Sequence, residues 1–171
     1  MQSSWTEIES KGAAEQHPKT AEVVAIYIGP ERLGPMVAVF EVRAIAGAGL
    51  EGDRYCCERG TFSKKLPNNQ VTLIEAEALE AAAREHGVEF SAQESRRNLL
   101  TRGTPLNLLV GREFQIGGVR LRGLKLCEPC THLEQLTGKP LLKTMLHRCG
   151  LRAEILSGGV IRIGDRVAET N

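Results

Sequence analysis

The sequence contains no hydrophobic run long enough to cross a membrane, and its first residues lack the features of a targeting signal. No stretch approaches the roughly 20 apolar residues that a transmembrane helix needs. Residues 1–20 do not show the charged segment followed by an apolar segment that marks a secretory signal, and their glutamates argue against a mitochondrial transit peptide. We therefore expect a cytoplasmic protein with no membrane partner, in which residues 1–20 form a flexible extension.

The sequence also lacks an excess of charge of either sign. Its 22 Lys and Arg residues nearly balance 21 Asp and Glu residues, which leaves a formal net charge of +1. A chain this close to neutrality has no extended basic surface that would attract nucleic acid over a distance. We expect no nucleic-acid partner, although Arg96, Arg97 and Arg102 are close enough in sequence to form a local cationic pocket.

Cysteine is present in an odd number, five residues, which disfavours a disulfide framework in a chain without a secretory signal. Cys127 and Cys130 form the one C-x-x-C pair, and Pro129 restricts Glu128 to extended backbone in a way that would hold a thiolate in place. Structural zinc usually takes two such clusters. A thioredoxin-like redox pair follows the strand of a βαβ unit, and the sequence shows no such unit. From the residues alone, zinc binding, redox chemistry and buried packing all stay open.

Strand patterns dominate the rest of the chain. Runs rich in β-branched and aromatic residues predict strands over 22–28, 36–44 and 70–74. One segment rich in Ala, Glu and Leu predicts a helix over 75–87 that ends at Gly87.

Paired glycines mark the turns. The Gly-Gly pairs within 113–121 and 152–164 predict two β-hairpins, because glycine supplies the positive φ angles of two-residue turns. Between Leu121 and Leu124 the apolar alternation shifts, and a β-bulge at Gly123 would explain the shift. Many short strands with one or two peripheral helices predict a mostly β fold, a Greek-key or closed β-barrel.

Four stretches in the same order resemble the MOSC domain, the module at the C-terminus of molybdenum-cofactor sulfurases, and most resemble its small stand-alone bacterial members. They are GLEGDRY (49–55), SRRNLLTRG (95–103), IGGVRLRGLKLCEPCTHLEQLTG (116–138) and RCGLRAEILSGGVIRIGD (148–165). The resemblance implies one MOSC domain over residues 21–171 with a β-barrel-like fold.

The resemblance implies a role for the C-x-x-C pair. Cys130 matches the most characteristic cysteine of the family, which ligates molybdenum in the amidoxime-reducing members and is proposed to carry persulfide sulfur in the sulfurases. Thiolate suits both roles, because it is a soft metal ligand and a sulfur nucleophile. The motif does not separate metal ligand from sulfur carrier, and Cys127 matches a supporting position.

The same resemblance implies the contacts to a pterin cofactor. SRRNLLTRG matches the element that contacts the pterin and its phosphate, so Arg96, Arg97 and Asn98 are candidate contacts. Arginine binds phosphate through a fork of donors, and asparagine offers both a donor and an acceptor. The further candidates are Asp53, Arg54 and Thr131.

Two functions follow from the resemblance. The first is a protein that binds a molybdopterin-type cofactor through the Cys130 thiolate, as a reductase of N-hydroxylated compounds that takes electrons from a separate donor protein. The second is a sulfur carrier that accepts persulfide sulfur from a pyridoxal-phosphate-dependent desulfurase for metal–sulfur cofactor assembly. In that case the pyridoxal phosphate would belong to the partner desulfurase.

Overall fold

A computed structural model of the chain describes residues 20–56 and 70–170. The expected flexible extension, residues 1–20, lies outside this part except for Thr20. The strands are β1 (Glu22–Ile28), β2 (Val37–Val39), β3 (Glu41–Ile45), β4 (Gly49–Leu50), β5 (Val71–Glu75), β6 (Leu99–Arg102), β7 (Glu113–Ile116), β8 (Val119–Leu126), β9 (Leu151–Ser157), β10 (Gly159–Arg162) and β11 (Val167–Glu169). The helices are α1 (Ala76–His86), α2 (Thr131–Thr137) and α3 (Leu141–Thr144), with a short 3-10 helix (Leu106–Leu109).

The expectation of a mostly β protein is confirmed. The predicted helix is α1, which ends where Gly87 adopts a left-handed φ of 63°. The single strand predicted over 36–44 is two strands, because the chain leaves one sheet at Phe40 and enters the other. No helix of the described residues has the length and apolar character that spanning a membrane requires.

Eight strands form one mixed sheet in the order β11-β7-β8-β9-β5-β6-β1-β2, and three form a second sheet in the order β10-β3-β4. The pair β5–β6 is parallel, whereas the other strand pairs are antiparallel. One isolated bridge, between Glu22 and Arg166, links β1 to the segment before β11. Within the described residues the strand order has two ends and shows no closed barrel, so the predicted barrel is not confirmed.

The two Gly-Gly pairs behave differently. The first forms the predicted hairpin, in which Ile116 pairs with Val119 and Gly117 has a φ of 55°. The second hairpin prediction is wrong, because β9 pairs with β5 on one edge and with β8 on the other and has no edge left for β10. The chain passes Gly158 instead, so that β10 pairs with β3 in the smaller sheet.

The bulge predicted at Gly123 is confirmed. The register of β8 against β9 shifts between Gly123 and Lys125. A Cβ atom at Gly123 would lie 2.1 Å from the carbonyl oxygen of Leu109, so the 3-10 helix approaches the strand at a distance that only glycine allows. The bulge lies shortly before the point where β8 ends and the C-x-x-C segment begins.

Two apolar clusters hold the fold together. The larger cluster fills the space between the sheets, with Leu73, Phe114 and Leu121 fully buried in it. The smaller cluster lies under the helices, and burial of each of its large apolar side chains contributes roughly 1.5–3 kcal/mol. Its members are Ile74, Ala78, Ala82, Phe90, Leu133, Leu141, Met145 and Cys149. Leu133 anchors α2 in this cluster, which fixes the position of the residues just before that helix.

Candidate functional site

The two cysteines of the C-x-x-C pair point to different environments. Cys127 follows β8 directly, is 2% exposed, and donates its backbone N–H to the carbonyl of Gly150 at 2.7 Å. Cys130 is the residue before α2, is exposed, and has extended backbone with φ −134° and ψ 159°. The pair therefore presents a single accessible thiol, that of Cys130.

Cys130 faces a small cleft lined with arginine. Four of the ten lining residues are arginines, and none is a carboxylate. The lining residues are Leu33, Arg54, Tyr55, Thr72, Arg96, Arg97, Cys130, His132, Leu133 and Arg152. The structure therefore brings Cys130 together with three of the predicted arginines. A concave site with charge of one sign attracts a ligand of the opposite sign, here an anion.

Arg96 has an unusual backbone conformation. Its φ is 58°, in the left-handed region that costs a residue with a Cβ about 1–2 kcal/mol. The side chain is half-buried, and its Nη1 donates to the carbonyl of Gly34 at 2.8 Å. Burial lowers the pKa of the Arg96 guanidinium, and the like charge of Arg54 lowers it further. Backbone strain of this kind is typical of ligand-binding positions.

Arg54 is a second arginine that lines the cleft beside Arg96. It is 5% exposed, and its Nη1 lies 3.4 Å from the carbonyl of Gly29 and 3.5 Å from the sulfur of Met36. The guanidinium carbon lies 4.7 Å from the ring centroid of Tyr55. Because Arg54 and Arg96 repel each other, an anion bound between them would relieve an unfavourable interaction.

Arg97 faces inward, although it is adjacent in sequence to Arg96. Its Nε donates to the carbonyl of Cys149 at 2.9 Å, and its Nη1 donates to the carbonyl of Ser95 at 2.9 Å. Its Nη2 lies 3.2 Å from both the carbonyl oxygen of Cys127 and the sulfur of Cys149. Burial alone would lower the pKa of Arg97, but attraction to Cys127, Cys149 and Cys130 in their ionised, thiolate form, together with the hydrogen bond to Cys149, raises that pKa.

Asp53 and Asn98 form a buried hydrogen-bonded network behind the cleft. Asp53 accepts hydrogen bonds from the backbone N–H groups of Gly29 and Tyr55 at 2.9 and 3.1 Å. Its Oδ2 also accepts from the Asn98 amide at 3.1 Å. Asn98 in turn accepts from the backbone N–H and the hydroxyl of Thr72 at 3.1 and 3.0 Å. The side chains of Asp53 and Asn98 therefore form their hydrogen bonds with other groups of the protein.

The remaining candidate, Thr131, is the first residue of α2 and is exposed. It is not among the residues that line the cleft, whereas the next residue, His132, is. A contact between Thr131 and a cofactor stays a prediction.

The cleft offers one thiol and no complete set of metal ligands. Within 20–56 and 70–170, no three His, Cys, Asp or Glu side chains are grouped so that they could hold a metal ion. A metal beside Cys130 would take its other ligands from outside this part of the chain. One soft sulfur ligand beside a cationic cleft fits an anionic, phosphate-bearing cofactor that brings its metal with its own sulfur ligands.

Several residues of the cleft carried no usable sequence signal. Leu33, with a φ of 63°, lies in the loop between β1 and β2. Tyr55 ends the stretch GLEGDRY and was not singled out. Arg152 lies inside the fourth matching stretch, so the resemblance could have pointed to it, but nothing distinguished it from a solvent-facing strand residue. Cys149 lies in the fourth matching stretch, is buried, and also contacts Arg97.

Comparison with known proteins agrees with the geometry. A sequence model of the MOSC domain matches residues 58–168. The YuaD protein of Bacillus subtilis has a similar structure, with a TM-score of 0.72 and 17% identity over 86% of this chain and 94% of its own. No curated protein sequence matches the chain.

Two YiiM structures are also similar to the chain. YiiM from Geobacillus stearothermophilus has a TM-score of 0.67 and 15% identity, over 88% of this chain and 75% of its own. YiiM from Escherichia coli has a TM-score of 0.64 and 18% identity, over 90% of this chain and 71% of its own. At these identities the structural likeness shows the fold.

Proposed function

We propose, from the premise that this chain belongs to the MOSC domain family, that its cleft binds the molybdenum cofactor and that the Cys130 thiolate ligates the metal. The family is associated with this cofactor. The observation that carries the proposal is the position of one exposed thiol in a cleft that four arginines line without a carboxylate. Thiolate is the side-chain ligand that soft metals prefer.

Different side chains in and behind the cleft would bind the phosphate, support the cleft and contact the metal. Arg54 and Arg96 would hold the phosphate, because both line the cleft and each has only Nη1 in a hydrogen bond to the described residues. The Nη1 of Arg54 also lies 3.9 Å from the Asp53 carboxylate, which orients this arginine from behind. Asp53 and Asn98 support the cleft from behind, because their polar atoms bond to the protein itself. Cys130 alone would contact the metal.

We propose an oxidoreductase that reduces N-hydroxylated compounds. When bound, the cofactor supplies two-electron chemistry at its metal. The overall reaction consumes two electrons and two protons, and converts an N–OH group into N–H and water. The electrons would come from a separate donor protein. The chain itself would anchor the cofactor phosphate at Arg54 and Arg96 and fix the metal at Cys130.

A sulfur carrier is the second candidate, and the exposure of Cys130 favours it because an incoming protein could reach this thiol. The Cys130 thiolate would attack the outer sulfur of a persulfide on a pyridoxal-phosphate-dependent desulfurase. The new S–S bond forms on Cys130, the persulfide bond of the desulfurase breaks, and the desulfurase cysteine leaves as a thiolate.

Metal analysis tests the first candidate. Protein purified from cells that synthesise molybdopterin should contain molybdenum and pterin in roughly equal amounts to the chain, and little zinc. Stoichiometric zinc held by tight thiolate ligation would contradict the proposal.

Mass spectrometry separates the two candidates. After incubation with a desulfurase and cysteine, a carrier should gain about 32 Da on the peptide that contains Cys130, the mass of one added sulfur atom. A metal ligand should instead resist alkylation until the cofactor is removed, because the metal occupies the thiolate.

A further inference from the structure

We propose that Gly29 and Tyr55 are positioning residues for Arg54, and that they form the two walls of a slot that holds the Arg54 guanidinium ready to bind an anion in the cleft. The inference rests on the proposed function in one respect, namely that Arg54 contacts the phosphate of the ligand. It extends the phosphate site to two residues that act through this arginine.

The backbone of Gly29 forms the first wall of the slot. Its carbonyl oxygen accepts from the backbone N–H of Arg54 at 2.9 Å, and Nη1 of Arg54 lies 3.4 Å from the same oxygen. A Cβ atom on Gly29 would lie 1.9 Å from this Nη1 and 2.7 Å from the sulfur of Met36. Both atoms are the ends of flexible side chains, so an added methyl group would displace the guanidinium and leave the surrounding backbone in place.

The ring of Tyr55 forms the second wall. The guanidinium carbon of Arg54 lies over the face of this ring, 4.7 Å from its centroid. At this distance the negative face of an aromatic ring attracts a cation. Tyr55 and Arg54 both line the cleft, so the stacked guanidinium lies at the surface that a ligand would meet.

Asp53 fixes the two walls relative to each other. Its Oδ2 accepts from the N–H of Gly29 at 2.9 Å, and its Oδ1 accepts from the N–H of Tyr55 at 3.1 Å. The walls come from different parts of the chain, since Gly29 directly follows β1 and Tyr55 lies in the turn after β4. One buried carboxylate therefore holds together the backbone on both sides of the guanidinium.

The slot engages one corner of the guanidinium and leaves the rest of it for a ligand. Nη1 lies close to Gly29, Met36 and Asp53, whereas Nε and Nη2 of Arg54 form no hydrogen bond with the described residues. A guanidinium binds a phosphate best through two parallel N–H groups. Because Arg54 is 5% exposed and already ordered, it would lose little conformational entropy when an anion binds.

The affinity for inorganic phosphate tests this role without the molybdenum cofactor. The chain is produced in cells that do not make molybdopterin and titrated with inorganic phosphate at low ionic strength in a calorimeter. We expect Gly29→Ala to weaken phosphate binding about tenfold, because the displaced guanidinium loses charge-assisted hydrogen bonds to the anion. Gly118→Ala is the matched control, since an added Cβ atom there meets nothing within 4 Å, and it should bind phosphate as the wild type does.

Two variants of Tyr55 test the second wall, and they keep the test decisive if Gly29→Ala does not fold. Tyr55→Leu removes the ring face and should weaken phosphate binding about fivefold, whereas Tyr55→Phe keeps the ring and should stay within about twofold of the wild type. Equal affinities of Tyr55→Leu and the wild type would overturn the role of the ring. A wild-type chain that binds phosphate no more tightly than Arg54→Ala would overturn the whole proposal.

A double-mutant cycle separates positioning from a general effect on the fold. In an Arg54→Ala background, Gly29→Ala and Tyr55→Leu should each change the remaining affinity by less than about twofold, because a residue that acts through Arg54 has nothing left to position. Equal weakening with and without Arg54 would overturn the proposal. Where Arg54→Ala abolishes measurable binding, the contrast between Tyr55→Leu and Tyr55→Phe decides.

The assay also distinguishes failure of this inference from failure of the proposed function. A chain that gives these phosphate affinities but acquires no molybdenum in cells that make the cofactor would refute the proposed function and leave the slot standing. A chain that acquires molybdenum, but whose Gly29→Ala and Tyr55→Leu variants bind phosphate as the wild type does, would refute the slot alone.

Discussion

The Asp53 carboxylate and the Asn98 amide are joined by a buried hydrogen bond of 3.1 Å. The two residues come from different matching stretches of the sequence, and their contact fastens the segment after β4 to the residue that precedes β6. The two stretches thus meet physically behind the cleft, where they support the arginines that line it.

Loss of the hydrogen bond between Asp53 and Asn98 should lower the free energy of unfolding. Asn98→Ala leaves the buried Asp53 oxygen with one donor fewer and deprives Thr72 of its acceptor. Such a change typically costs about 2–4 kcal/mol, which for a domain of this size lowers the melting temperature by roughly 5–12 °C. Circular dichroism measures it, with exposed Asn107→Ala as the control. A loss below about 2 °C in Asn98→Ala would show that the network contributes little.

Alanine variants of Arg96 and Arg97 should differ in cofactor retention and in melting temperature. Arg96→Ala should reduce the pterin retained per chain while the melting temperature changes by no more than about 2 °C, because the side chain is half-buried and makes one hydrogen bond. Arg97→Ala should lower the melting temperature strongly, since it breaks four buried contacts. Arg84→Ala on α1 is the surface control. Equal melting temperatures for both variants would contradict this division.

The left-handed backbone of Arg96 predicts that glycine at this position is more stable than alanine. Arg96→Gly removes the same side chain as Arg96→Ala but also relieves the backbone strain, because glycine adopts a φ near 58° without a steric penalty. Arg96→Gly should therefore be more stable than Arg96→Ala by about 1 kcal/mol in denaturant unfolding. An Arg96→Ala variant that is the more stable of the two would show that the position is unstrained.

The adjacent arginines also show what the sequence could and could not predict. The run SRRN indicated a cationic element, and both arginines do line the cleft. Adjacent residues in irregular backbone have no fixed alternation of side-chain direction, so no pattern could tell which arginine turns inward. The direction depends on the positive φ of Arg96 and on the carbonyl groups of Cys127 and Cys149, which are distant in sequence.

The glycine pairs give a parallel lesson for the fold. Gly117 was recognised as a hairpin turn because a two-residue turn is a local structure. Gly158 and Gly159 are also a Gly-Gly pair, but whether such a pair forms a hairpin depends on whether the preceding strand has a free edge. Both edges of β9 are already paired, with β5 and with β8. Strands and the helix were therefore predictable from local pattern, whereas pairing, sheet membership and closure depend on contacts between distant segments.

Substitution of Gly123 should destabilise the fold. A Cβ atom at this position would lie 2.1 Å from the Leu109 carbonyl oxygen, and backbone cannot yield as a flexible side chain can. Gly123→Ala should therefore cost about 2–4 kcal/mol. Thermal unfolding measures the loss, with Gly118→Ala as the control, because nothing lies within 4 Å of the added atom there. Comparable stability of the two variants would contradict the close approach.

Glu75 should make stability depend on pH. Burial raises the pKa of its carboxyl, the Leu106 N–H opposes the shift, and the charge of Glu77 adds to it. A carboxyl with a raised folded-state pKa contributes stability that is present below its unfolded pKa and is lost as pH rises through the folded-state value.

Removal of the charge at this position should therefore help near neutral pH. Glu75→Gln keeps an oxygen acceptor for Leu106 and should raise the melting temperature by roughly 1–3 °C at pH 7, a small effect because the side chain is partly exposed. The gain should vanish near pH 4, and exposed Glu89→Gln should show neither effect. A gain that persists unchanged at pH 4 would exclude ionisation of Glu75 as its cause.

The most direct test of the central claim, that Cys130 ligates molybdenum, is X-ray absorption at the molybdenum edge. Protein from cells that make the cofactor should show one sulfur neighbour more in the wild type than in Cys130→Ser, because serine replaces a soft thiolate with a hydroxyl that stays protonated. Cys127→Ser should match the wild type, since Cys127 is buried. Metal-loaded Cys130→Ser with the same number of sulfur neighbours as wild type would contradict the assignment.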